Sequence, residues 1–154
     1  MGFVKTAKKQ GGALLAGGEA IKDNKGLFIP PTIFGGVKPD MTIAIEEIFG
    51  PVMAVMPVAN DEEALALANQ THYGLQASLF TSDVTRAHSY ARRLQAGTVS
   101  VNCYGEGDIT TPFGGYKLSG FGGKDNSLMA HDQYTETKTI WINLAENQQD
   151  EEIG

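Results

Sequence analysis

The stretch Glu46-Glu47-Ile48-Phe49-Gly50-Pro51-Val52 places two carboxylates and an aromatic side chain directly before a Gly-Pro turn. The residues that follow, 52–58, are almost all apolar, and this run predicts a strand. An acid is therefore held at the mouth of a predicted sheet, which is where open α/β sheets bind ligands.

Downstream of this stretch, apolar runs alternate with segments of helical periodicity. The predicted elements are a strand at 52–58, a helix at 62–70, a strand at 77–80, a helix at 84–95 and a strand at 98–102. Asn60 or Asp61 can cap the first helix, with Glu63 reaching back, and Ser82 or Asp83 can cap the second. Short connections between strands and helices predict an α/β fold with an open, mostly parallel sheet and flanking helices.

The chain opens on a different pattern. Lys5 to Gln10 is typical of the end of a helix, and Ala13 to Ala16 predicts a short strand between glycine pairs. A chain that begins on a helix with no preceding strand is expected to derive from a longer protein.

Composition limits the classes of partner. The 154 residues fit one domain and carry a net charge of −6, without the basic stripe that nucleic acids or anionic membranes require. The single cysteine and the lack of an apolar leader predict a reducing, cytoplasmic location. The three histidines show no paired ligand spacing, so no metal site is predicted.

Residues 104–124 are rich in glycine and lack apolar periodicity. They fail the phosphate-binding templates: Asp125 occupies the place of the third small residue of a dinucleotide fingerprint, and Leu118 the place of the first P-loop glycine. Composition by itself therefore favours a flexible surface loop.

The C-terminal part predicts a short helix at 127–133, a strand at 135–144 and an acidic, disordered tail at 145–154. Ile140, Ile142 and Leu144 alternate with polar residues and Trp141, which is typical of a half-buried strand. Terminal strands stay ordered only when they are paired.

Three segments, Glu46–Val52, Pro112–Gly120 and Tyr134–Thr139, resemble in order and spacing the C-terminal part of an NAD(P)-dependent aldehyde dehydrogenase. The resemblance implies that residues 1–133 form the C-terminal part of a catalytic domain and that 134–144 form an oligomerisation strand. It implies that the Glu47 carboxylate accepts hydrogen bonds from the nicotinamide ribose, with Phe49 beside the nicotinamide. Phe113 is expected in the aldehyde channel.

Cys103 does not fit the position of the nucleophile that this resemblance implies. In the family that cysteine precedes the Glu-Glu-Ile-Phe-Gly-Pro motif, whereas Cys103 follows it and no cysteine precedes Glu47. We therefore predict no catalytic residue in this chain and a buried, inert thiol at Cys103, near the substrate channel. The nucleophile, the general base and the dinucleotide-binding domain are expected from an upstream half, so the isolated chain is expected to be inactive.

Residues 102–108 resemble the substrate loop of γ-glutamyl-γ-aminobutyraldehyde dehydrogenases, enzymes of putrescine breakdown. Glu106 and Asp108 would rim the aldehyde channel and favour a cationic tail; the alternative is that both acids simply keep the loop solvated. The competing functional interpretation is a non-catalytic, self-associating interaction module. A free-standing nucleotide-binding domain is disfavoured by the failed glycine templates.

Overall fold

The computed structural model describes residues 1–21, 26, 28–105 and 107–144. In chain order the elements are helix α1 (Gly2–Lys9), strands β1 (Ala13–Ala16) and β2 (Thr32–Gly35), helix α2 (Thr42–Ile45), strand β3 (Val52–Ala54), helix α3 (Asp61–Gln70), strand β4 (Gln76–Leu79), helix α4 (Val84–Arg93) and strand β5 (Thr98–Val101). Two 3₁₀ segments follow, at Lys117–Ser119 and Leu128–Tyr134. No helix among these residues is long and apolar enough to cross a bilayer.

The predicted α/β fold with mostly parallel pairing is confirmed, but the strands form two small sheets. In the first, β1 pairs antiparallel with β2, and β2 pairs parallel with β3. In the second, β4 and β5 pair in parallel across α4. Strand β3 thus pairs backward in the chain, with β2. It is also shorter than predicted and ends at Ala54, opposite Phe34, because its partner β2 ends at Gly35, directly before the left-handed Gly36.

The core belongs to the first sheet and the helices beside it. Its buried side chains are Val4, Ala7, Phe34, Val37, Met41 and Ile43. Phe34 on β2 is fully buried within this cluster. In α4 no described residue is buried, so the second sheet and its helix contribute little core of their own.

Local capping explains where α3 and α4 begin. The Asn60 side chain accepts from the Glu63 N–H at 3.0 Å, and the Glu63 carboxylate accepts from the Ala59 N–H at 2.7 Å. The Asp83 carboxylate accepts from the Thr85 and Arg86 N–H groups. These contacts confirm two of the predicted caps.

Ion pairs join the two helices. Arg86 pairs with Asp61, and Arg93 pairs with Glu62. The Arg86 guanidinium lowers the pKa of Asp61, and that of Arg93 lowers the pKa of Glu62, chiefly through hydrogen bonds to the carboxylates. All four side chains are exposed, so these pairs orient the helices more than they stabilise them.

Residues 135–144, where the sequence predicts a strand, are exposed and form no strand with other described residues. Ile140, Trp141, Ile142 and Leu144 are 71%, 90%, 73% and 85% exposed. Pairing of this segment with another copy stays a prediction. The acidic tail, 145–154, lies outside the described residues.

Candidate functional site

Glu47 lies on the wall of an open groove between α2, α3 and the start of β4. The groove has a volume of about 540 Å³, and its lining includes Glu46, Glu47, Gly74, Leu75, Tyr104 and Ser119. Both carboxylates are exposed. An ionised carboxylate in this position is free to accept two hydroxyl donors at once, which is what recognition of a ribose diol requires.

Phe49 follows the acids in a strained backbone conformation. Its φ is 46°, in the left-handed region, and its side chain is 89% exposed. Such a conformation costs a residue with a side chain about 1–3 kcal/mol and is concentrated at ligand sites. The aromatic ring is therefore presented outward, beside the two acids.

A second groove, of about 480 Å³, contains Phe113. Its lining includes Leu75, Phe113, Ser119, Phe121 and Gln133. Phe113 is half-buried, and its backbone exchanges two hydrogen bonds with Asp125, at 2.8 and 2.7 Å. The structure therefore fixes this aromatic as a wall of a concave surface.

The two grooves meet at Leu75 and Ser119, which line both. The acid motif and the Phe113 motif are far apart in the chain, yet they open onto adjoining parts of one face. The fold thus brings the groove of Glu47 next to the groove of Phe113, whereas Phe49 lines neither groove.

Gly74 is buried and lines only the first groove, but it adjoins Leu75 in the chain and bonds to Ser119, the two residues at which the grooves meet, so we call it the junction residue. Its N–H donates to the Ser119 hydroxyl at 3.1 Å, and its carbonyl accepts from the N–H groups of Gly97 at 3.0 Å and Tyr116 at 2.8 Å. Leu118 adds a fourth bond, from its N–H to the His72 carbonyl at 3.0 Å. Residues 112–120 are therefore anchored to the segment before β4, rather than forming the flexible loop that composition favours.

Lys117 supplies a further anchor from its side chain. Its ammonium donates to the carbonyls of Asn69, at 2.7 Å, and Thr71, at 2.9 Å, at the C-terminal end of α3. Sequence reasoning assigned no role in the site to Gly74, Lys117 or Ser119. Lys117 and Ser119 lie inside the Pro112–Gly120 motif, which was the available signal, whereas Gly74 lies outside every quoted motif. The partners of all three residues are distant in the chain.

The other predicted channel residues are placed differently. Cys103 is exposed, so the expectation of a buried thiol is wrong: it follows the end of β5 in a turn where Asn102 has a φ of 56°. Neither groove is lined by Cys103, although the adjoining Tyr104 lines the first. Glu106 lies outside the described residues.

Asp108 uses its carboxylate within its own turn. Its Oδ1 accepts from the Thr110 N–H at 2.7 Å and from the Thr110 hydroxyl, and these bonds lower the pKa of Asp108. The charge is fully exposed and does not line either groove. Among the described residues, no group of three His, Cys, Asp or Glu side chains is placed to hold a metal ion.

Comparison with known proteins agrees with the resemblance that the three sequence motifs indicate. The profile of the Aldehyde dehydrogenase family matches residues 1–140. The chain is 55% identical over 120 residues to an aminoacetaldehyde dehydrogenase of Pseudomonas aeruginosa, covering 78% of this chain and 24% of that protein. It is 49% identical over 144 residues to the NADP/NAD-dependent aldehyde dehydrogenase PuuC of Escherichia coli, covering 92% of this chain and 28% of that protein.

Solved structures agree. An indole-3-acetaldehyde dehydrogenase complexed with NAD+ superposes with a TM-score of 0.87 at 48% identity, covering 93% of this chain and 29% of that one. An NAD+ complex of an aldehyde dehydrogenase from Bacillus cereus gives 0.87 at 43% identity, covering 93% of this chain and 29% of that one. The chain spans about a quarter to a third of the length of such relatives.

Proposed function

Since this chain belongs to the aldehyde dehydrogenase family, we propose that it forms the ribose-binding edge and one aldehyde-channel wall of an enzyme that oxidises an aldehyde to a carboxylate with NAD or NADP. The observation that carries the proposal is the meeting of the Glu47 groove and the Phe113 groove at Leu75 and Ser119. Bound NAD(P)+ would supply the hydride acceptor. A cytoplasmic location stays a prediction.

In this proposal each group of the chain has a separate task. The Glu47 carboxylate accepts from the ribose hydroxyls and orients the nicotinamide ring, beside which the exposed Phe49 ring lies. Phe113 forms an apolar wall that excludes water from the aldehyde. The thiolate that attacks the aldehyde carbon comes from outside these residues, because Cys103 follows the acid motif and lines neither groove.

We further propose an amino- or γ-glutamylamino-aldehyde as substrate, as in putrescine breakdown. Support comes from the relatives named aminoacetaldehyde dehydrogenase and PuuC, and from the acids of the loop after β5. The bonds that Asp108 makes to Thr110 weigh against direct contact with a ligand, so its charge would act at a distance, by attracting a cationic tail.

The test is a chimera in which residues 1–144 replace the matching segment of E. coli PuuC. We expect the chimera to form NADH from aldehydes and the isolated chain to form none. A folded but inactive chimera would contradict the proposal, as would turnover by the isolated chain that survives a Cys103→Ser substitution.

Substrate class is tested in the same chimera. Asp108→Asn keeps the carbonyl acceptor for Thr110 and removes only the charge, while Asp40→Asn, at an exposed acid that lines neither groove, is the matched control. With Glu106→Gln added, the preference in kcat/KM for aminoaldehydes over alkyl aldehydes should shrink about tenfold for each 1.4 kcal/mol lost. Because exposed charges are screened, the loss should be smaller at high salt. An unchanged ratio at both ionic strengths would remove the physical basis of this assignment.

The second candidate function is self-association without catalysis. It is favoured by the four exposed apolar side chains of residues 140–144 and by the lack of a strand partner for 135–144 among the described residues. A strand that mediates assembly is compatible with the enzymatic role, so association alone does not distinguish the two proposals. The activity of the chimera distinguishes them. If the chimera is inactive and the chain still associates through this segment, the module interpretation holds.

A further inference from the structure

The side chain of Lys117 connects its own turn to the end of α3, next to the bonds that Leu118 and Ser119 make to His72 and Gly74. It leaves the 3₁₀ segment Lys117–Ser119 and reaches the carbonyls of Asn69 and Thr71 at the end of α3. Asn69 lies in the last turn of α3, where backbone acceptors have no partner within the helix, and Thr71 is the residue that follows the helix.

Charge explains why a lysine suits this place. Helix α3 has three acids in its first turn, Asp61, Glu62 and Glu63, and no basic residue in its last turn. A cation at a helix C-terminus is stabilised by the helix dipole. Lys117 supplies that missing charge from 46 positions further along the chain.

The backbone conformation of Lys117 is a second observation that favours a role for its side chain. Its φ is 54°, in the left-handed region, which glycine adopts far more readily than a residue with a side chain. Lys117 lies two residues after Gly115 in a glycine-rich motif. It nevertheless carries a long cationic side chain on an unfavourable backbone conformation. An unfavourable backbone conformation is kept in a folded protein only when the contacts of that residue stabilise it by more than the conformation costs.

We propose that Lys117 is a positioning residue, which holds the loop of Phe113 and Ser119 against the end of α3 and thereby sets the spacing between the two grooves. The Gly74–Ser119 and Gly74–Tyr116 bonds lie on either side of Lys117 in the chain and depend on the same docking. Asn69 and Thr71 themselves line the Glu47 groove, so the ammonium bridges directly from its wall to the loop of Phe113. The inference deepens the proposed function and rests on it for its kinetic consequence.

The first arm of the test needs no activity. In the 154-residue chain, amide exchange of Gly74, Tyr116 and Leu118 should quicken about fivefold or more in Lys117→Met and remain within about twofold of the parent in Lys117→Arg, which retains the charge and the donors. Amides of β1 and β2 should be unchanged. The matched control is Lys38→Met, at an exposed lysine for which the structure shows no side-chain hydrogen bond to a described residue. Equal exchange in Lys117→Met and the parent overturns the proposal.

The second arm uses the PuuC chimera. Lys117→Met should raise KM for the aldehyde about tenfold and leave KM for NAD within about twofold, with rescue by Lys117→Arg. A residue that merely stabilised the fold would move both constants together or neither. A change confined to NAD, or no change in either constant, overturns the positioning role. If the unsubstituted chimera is inactive, the proposed function fails, and the exchange arm still decides whether Lys117 holds the loop.

Discussion

Replacing Gly74 by alanine should separate the two grooves without touching any proposed ligand contact. The added Cβ would lie 2.5 Å from the Gln95 carbonyl oxygen and 3.1 Å from the Cβ of Tyr116. Ordinary contact begins near 3.4 Å, so the Gln95 carbonyl or Gly74 itself must move by about 0.9 Å. The backbone of Gly74 is not left-handed, and the effect is therefore one of crowding alone.

The cost can be set from these contacts. Overpacking of a close site costs about 1–3 kcal/mol, and each of the three hydrogen bonds of Gly74 is worth roughly 1 kcal/mol when it is lost. The added methyl group crowds Gln95 and Tyr116, so we expect the hydrogen bond from the Tyr116 N–H to the Gly74 carbonyl to weaken most. The free energy of unfolding should therefore fall by about 2–4 kcal/mol in total.

Denaturant unfolding measures this total loss of stability, and amide exchange shows which backbone hydrogen bonds account for it. Exchange at Tyr116 and Gly97 should quicken, while the amides of β2 change little. Gly2→Ala is the matched control, because an added Cβ there meets no atom within 4 Å. A Gly74→Ala chain as stable as the Gly2→Ala chain, with unchanged exchange at Tyr116, would refute the role of Gly74 as the junction.

Three further predictions concern the rest of the chain. Asn60→Ala removes the cap of α3 and should lower the free energy of unfolding by about 1 kcal/mol in denaturant titration; an unchanged midpoint would show that the cap is redundant. The Arg86 guanidinium lowers the pKa of Asp61 below 3.8, so the stability that this pair contributes is present above that pH and is lost as the pH falls through the folded-state pKa. The stability difference between the parent and Asp61→Asn should therefore fade in acid, and a difference that is constant with pH would exclude the pair as its source. Trp141→Glu should shift the chain toward monomer in light scattering, because it places a charge in the exposed apolar segment; equal association of parent and variant would place the interface elsewhere.

The parts of the structure that sequence predicted correctly are those that depend on neighbours in the chain. Asn60 and Asp83 cap the helices that follow them, and the β4-α4-β5 unit forms where the apolar periodicity changes. Capping bonds span only two to four residues. Interactions between neighbours in the chain were therefore enough to predict where these helices begin.

The parts that sequence missed depend on distant partners. The conformation of Gly74 is fixed by Gly97, Tyr116 and Ser119, which follow it by 23 to 45 positions. The pairing of β3 with β2, and the resulting division into two sheets, is likewise set by long-range contacts.

The candidate site shows the same division. The motif around Glu47 could be found from its sequence because acids, an aromatic and a Gly-Pro turn stand together. Cys103 was expected to be buried, but a strand end followed by a turn leaves its thiol exposed in this chain. The meeting of the two grooves at Leu75 and Ser119 is apparent only in the folded structure, because these residues are far apart in the sequence.

The central claim, that Glu47 holds the cofactor ribose, is tested most directly by single-turnover kinetics of the PuuC chimera carrying Glu47→Gln. Glu46→Gln is the matched control, because this neighbouring acid is also exposed and lines the same groove. Loss of a hydrogen bond to a charged group is worth about 1.5–3 kcal/mol, so hydride transfer should slow roughly 10- to 150-fold in Glu47→Gln, while acylation of the thiol stays within about twofold. Equal rates of hydride transfer in the Glu47→Gln and Glu46→Gln chimeras would contradict the claim.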